Sequence, residues 1–155
     1  MADQPSTGSR LNVVRVIGVL ERGGAQLSAL RLSVALRSHG IVTRLYAGDA
    51  TAEGLALAAA FDVPAEAFAR QAHLQWVPST DFAEWLRARL ADAELVHAHM
   101  FGAWWAAAVA APDGLPLVAS EHNAVTWPYG DFVTAALAAV PRVAAPAGRG
   151  RPAGG

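Results

Sequence analysis

Three histidines and a pair of glycines are the residues best placed to do chemistry. His97 and His99 stand one residue apart in "ELVHAHM", at the end of a short apolar run. In a strand, residues two apart share a face, so the two imidazoles lie side by side. Together with Glu121 and His122, such a pair is able to ligate a metal and activate water. The plainer reading is one buried histidine satisfied by backbone groups and one lining a cleft. No further carboxylate cluster completes a metal site, so none is expected.

Glu121, His122 and Asn123 follow a second apolar run, "LPLVAS". Three hydrogen-bonding side chains at a strand exit suit a hydroxyl-rich ligand, although asparagine also starts ordinary turns. Gly23 and Gly24 interrupt "VVRVIGVLERGGAQLSAL", where a strand-like run becomes a helical one. Glycines here allow positive φ and let a ligand approach the main chain. The first-turn N–H groups and dipole of the helix that follows suit a phosphate or diphosphate. A tight turn without a ligand would use the same residues. The spacing is neither a G-x-G-x-x-G fingerprint nor a Walker A loop. Among the tryptophans, Trp76, Trp85, Trp104 and Trp105 read as packing. Trp127, beside Pro128 and Tyr129, is the candidate for stacking on a ligand.

These residues need elements to position them. Asn12 to Leu20 is a near-continuous apolar run, the pattern of a parallel strand covered on both faces. Gly24 to His39 turns helical, with Leu27, Leu30, Val34 and Ala35 on the expected inner face and Gly40 as a C-terminal cap. "IVTRLYAGD" reads as a strand. Thr51 caps a helix that Gly54 should weaken. The stretch through "DVPAEAFARQAHLQWVPS" is less regular. Asp81 is the expected cap of a helix whose stripe is Phe82, Trp85, Leu86 and Leu90, with Glu84 at the capping-box position. "AELVHAH" is a buried strand, and Phe101, Trp104, Trp105 and Ala108 form the next helix face up to "PDG". "LPLVASEHN" supplies another strand and "YGDFVTAALAAV" a last helix. Alternation at this spacing predicts an α/β fold, a doubly wound parallel sheet with helices on both faces. Ligands of such sheets bind beyond the carboxyl ends of the strands. Three of the 5 histidines fall on that rim.

The 155 residues suit one well-buried domain. Its expected extent is 11–143, after a loose leader at 1–10 and before an Ala/Pro/Gly/Arg-rich tail at 144–155 with no periodicity. Hydrophobic residues make up 54% and charged ones only 16%, a globular balance, and the net charge of -1 gives no footprint for nucleic acid. With no cysteine, disulfides, thiolate metal sites and a cysteine nucleophile are ruled out. The polar start and the lack of a long apolar stretch point to a soluble, cytoplasmic chain, with contact at the inner face of the membrane left open.

"GGAQLSALRLSVALRSHG", "ELVHAHMFGAWWAAAVAA" and "GLPLVASEHN" together resemble the N-terminal domain of family-4-type glycosyltransferases of GT-B architecture. The resemblance runs from about Asn12 to about Val143 and implies one Rossmann-like half of a two-domain enzyme. It implies a retaining transfer from a nucleotide-sugar to an acceptor, with no obligatory metal and no other cofactor. Gly23 and Gly24 would close on the donor diphosphate, and His122 would meet the donor sugar near the reaction centre. His97, His99, Glu121, Asn123 and Trp127 would lie on the acceptor side. The family's second, donor-binding domain is not found in these residues, so the expectation is a truncated chain, inactive alone or completed by a separate subunit. The uncovered rim would then favour self-association. The competing readings are a non-catalytic ligand- or partner-binding domain and, further off, a metal-dependent hydrolase using His97, His99 and His122.

Overall fold

The computed structural model describes residues 10–70 and 79–122. Five strands and four helices alternate along this part of the chain: β1 (Leu11–Leu20), α1 (Gly24–Leu36), β2 (Ile41–Ala50), α2 (Ala52–Ala60), β3 (Ala65–Ala69), α3 (Thr80–Arg87), β4 (Leu95–His99), α4 (Phe101–Ala110) and β5 (Leu117–Ser120). The strands form one parallel sheet in the order β3-β2-β1-β4-β5. The order reverses at β1, so α1 and α2 pack on one face and α3 and α4 on the other. This is the expected Rossmann-like, doubly wound α/β fold. No helix among the described residues is long and apolar enough to cross a membrane.

β1 sits at the centre of the sheet, and its run from Val13 to Leu20 is buried on both faces. Val14, Val16, Val96 and Ala98 meet Phe82, Leu86, Trp104 and Ala107 on one side. On the other side Ile17, Leu20, Leu45 and Ala47 meet Leu30, Ala58 and Met100. Small residues at 103, 106, 107 and 110 let α4 lie close to the sheet. Gly40 ends the α1 segment with φ of 74°, the left-handed cap its position predicts, and Thr51 caps α2 by accepting from the Gly54 amide at 3.0 Å.

Four expectations need correction. The less regular stretch contains a strand, β3, at the sheet edge. Its sequence, AEAFA, is poor in β-branched residues, and it is held from outside by Arg89, which grips Glu66 with two N–H groups (3.2 and 2.7 Å), and by Phe68 against Trp85. The inner face of α1 is Gln26, Ala29, Leu30 and Ser33, rotated from the expected Leu27, Leu30, Val34 and Ala35. It turns because Gln26 and Ser33 have buried polar partners, described below, while Val34 and Ala35 face outward. The cap of α3 is Ser79, whose hydroxyl accepts from the Phe82 amide at 3.2 Å; Asp81 lies in the first turn and Glu84 pairs with Arg87. Gly54 is required rather than merely tolerated, since a Cβ there would run into the backbone of Leu20 and Glu21.

Candidate functional site

The carboxyl ends of β1, β4 and β5 gather the expected residues on one rim, as their parallel registers demand: Arg15 pairs with His97 and Ile17 with His99, which in turn pairs with Ser120. At the end of β1 the chain passes through Glu21 and Arg22 into the glycine turn. Gly23 is extended (φ -146°) and Gly24 already belongs to α1, so positive φ is not the reason for the pair. Close approach is. A Cβ on Gly23 would lie 2.5 Å from Oε1 of Gln26, whose Nε2 donates to the carbonyl of Val19 at 2.9 Å. Around Gly24 the space is open. The first turn of α1 carries no side-chain cap and no acidic residue, which leaves its amides and the positive end of its dipole facing the rim.

His97 and His99 share a face as expected, with ring centroids 4.1 Å apart. His97 is bonded at both nitrogens: Arg15 Nη1 lies 2.6 Å from Nδ1, and Ser120 Oγ lies 2.7 Å from Nε2. Beyond it, His99 Nδ1 and His122 Nε2 are 2.9 Å apart with near-parallel rings. His122 is exposed, and its amide donates to Oε1 of Glu121. A guanidinium, three imidazoles and a serine thus run from the buried middle of β1 to the open rim. Asn123, Trp127 and Trp76 lie outside the described residues. Trp104 is buried and Trp85 and Trp105 half-buried; Trp85 packs edge-on to Tyr46 beneath the Arg89 guanidinium.

The row is electrostatically unusual. Arg15 is only 1% exposed and donates Nε to Ser33 Oγ at 2.7 Å, so its described partners are all neutral. Burial pulls its pKa below the ordinary value. Burial, then the Arg15 charge, then His122 bring His97 down to about 4. Burial, His97, Arg15 and His122, in that order, bring His99 to about 3. Both imidazoles are neutral at physiological pH. A cation would have to displace Arg15 or Ser120 to reach His97, and no group of three or more His, Asp or Glu among the described residues is arranged to hold a metal.

Arg15, Gln26, Ser33 and Ser120 were not among the residues singled out from sequence. The signal was there: Arg15 is the one charge in an otherwise apolar buried strand, and Gln26 and Ser33 are seven residues apart on one helix. Such a charge survives burial only with polar partners brought from elsewhere.

A parallel α/β sheet with a glycine turn and neutral imidazoles on its carboxyl edge has the form of a Rossmann-like ligand-binding domain. The family model for Glycosyltransferase Family 4 matches residues 22–148, and the chain belongs to that family. The matched span begins beside the glycine pair and includes all three rim histidines, while Arg15 lies upstream of it. No match was found among curated proteins or solved structures.

Proposed function

We propose that this unit is the acceptor-side domain of a retaining glycosyltransferase that takes a sugar from a nucleotide-sugar. The observation that carries the reading is the convergence of the uncapped α1 turn and the His99–His122 pair on one rim of a family 4 domain. Gly23 and Gly24 let the donor diphosphate reach the α1 amides, where the helix dipole favours negative charge. His122 meets the donor sugar. His97, held from inside, and His99, buried behind His122, shape the acceptor side, together with Glu121, Asn123 and Trp127. Charge on the leaving diphosphate is stabilised by fixed dipoles and by basic groups of a donor-binding domain, so no metal is required. That domain comes from further chain or from a partner.

Transfer of labelled sugar from UDP-glucose or GDP-mannose, assayed with and without an added family 4 donor-binding domain, tests this reading. Transfer should need both parts, and His122→Ala should lower it by about 100-fold or more, the scale of losing one charge-stabilising contact. Turnover by the 155-residue chain alone, or an unaffected His122→Ala variant, would sink the proposal.

A further inference from the structure

The hydrogen-bonding inventory of the row carries an inference about how His122 acts. Guanidinium nitrogens only donate, so Nδ1 of His97, 2.6 Å from Arg15 Nη1, must hold a lone pair. The His97 proton is then on Nε2 and is donated to Ser120 Oγ. Protonating His97 fully would set N–H against N–H beside a buried positive charge. Arg15 therefore permits one tautomer of His97 and opposes charging of His97 and His99.

His99 is 3% exposed, and its Nε2 is buried without a partner among the described residues. A buried N–H with nothing to donate to is rarer than an unused lone pair, because a donor has a single proton to satisfy and loses its whole interaction with water. This places the His99 proton on Nδ1, where it is donated to Nε2 of His122. The remaining His122 proton is then on Nδ1, which makes no hydrogen bond among the described residues.

We propose that Arg15 is a positioning residue which sets the donor–acceptor order of the histidine row, so that His122 meets its ligand as a hydrogen-bond donor through Nδ1–H. The ligand atom would be an oxygen lone pair, from a sugar hydroxyl or from a diphosphate. This rests on the reading of His122 as the ligand contact and adds its chemistry: His122 donates a hydrogen bond and does not act as a base. The groups facing the row are Arg15 from β1, Ser33 from α1, His97 and His99 on β4, and Ser120, Glu121 and His122 at the end of β5.

The test is a long-range proton–nitrogen correlation spectrum of the imidazoles in the nitrogen-15-labelled full chain at neutral pH, assigned with single His→Gln variants. The expected spectrum has His97 protonated at Nε2 and both His99 and His122 at Nδ1. His122 protonated at Nε2, or His97 at Nδ1, overturns the proposal without any further variant. In Arg15→Met, His97 should lose its single tautomer and its pKa should rise by about one pH unit or more. If that variant does not fold, Arg15→Gln keeps an N–H donor without charge: the His97 tautomer should persist while its pKa rises. A purely structural Arg15 would leave tautomer and pKa unmoved in whichever variant folds, and that result also overturns the proposal.

UDP-glucose and UDP added separately identify the acceptor. A His122 Nδ1 shift with UDP-glucose alone assigns a sugar hydroxyl, and a shift with both assigns the diphosphate. Expected tautomers with His122 unmoved by UDP-glucose overturn the site reading and the ligand half of this proposal. Contrary tautomers with a shifted His122 overturn this proposal alone.

Discussion

The backbone of Leu20, the last residue of β1, lies against Gly54 in the first turn of α2. A Cβ on Gly54 would sit 2.9 Å from the Glu21 amide and closer still to the Leu20 carbonyl. That carbonyl also accepts from the Thr51 amide at 3.0 Å. The start of α2 is thereby pressed onto the point where β1 releases the glycine turn.

Gly54→Ala should therefore destabilise the fold. In a free helix the exchange is favourable by about 1 kcal/mol, but here the clash is with backbone, which cannot swing aside, and overpacking costs about 1–3 kcal/mol. We expect a lower urea midpoint and shifted amide resonances at Glu21 to Gly24. An equal or higher midpoint would show that the close approach is not tight.

Met100 joins β4 to α4 with φ 72° and ψ 152°, a conformation that side chains rarely adopt. Such positions cost about 1–3 kcal/mol. Comparing Met100→Gly with Met100→Ala cancels most of the lost packing, because both remove the buried side chain. The glycine variant should be the more stable of the two by about 1–3 kcal/mol, opposite to the order at an ordinary helix position. Equal stability in chemical unfolding would mean that Met100 is unstrained.

His97 and His99 have folded-state pKa values of about 4 and about 3, below the ordinary 6.5. Between these values and 6.5 the unfolded chain binds more protons than the folded one, so stability rises with pH in that window. The contribution is full above pH 6.5 and is lost on acidification toward the folded values. Glu66 and Asp92, held low by Arg89 and Arg44, lose theirs at lower pH, as it falls through the ordinary carboxylate values of 4.5 and 3.8 toward their lowered folded ones. Unfolding free energies should thus fall from pH 6.5 to 5, and the slope should flatten in a His97→Gln, His99→Gln double variant. A flat wild-type profile in that interval would contradict neutral, buried imidazoles.

Much of this fold was legible because β1 is a near-continuous buried run and strand-like segments alternate with helical ones, which leaves little alternative to a parallel sheet. Gly40 and Thr51 declared their caps by residue type. β3 escaped notice because alanine and glutamate carry little strand preference, and its support comes from Arg89 and Trp85, some twenty residues later. The α1 face was misjudged for a different reason. Counting Leu27 and Val34 as inward assumes an apolar interior, whereas Arg15 draws Ser33 inward and the Val19 carbonyl draws Gln26. The rim histidines could be named from strand ends alone. Their order of donation depends on Arg15, which is 82 residues from His97 in the chain.

The most direct test of the central claim is a titration of the labelled chain with UDP-glucose and GDP-mannose, following every backbone amide. A nucleotide-sugar bound at the rim should move Gly24, Gln26, His99 and His122 together in a saturable way. Val109, in the last turn of α4, and Ile41, at the amino end of β2, lie at the opposite edge and should stay in place. Saturable shifts confined to Val109, Ile41 or their surroundings, or none at millimolar ligand, would contradict a donor-facing rim built from Gly23, Gly24 and His122.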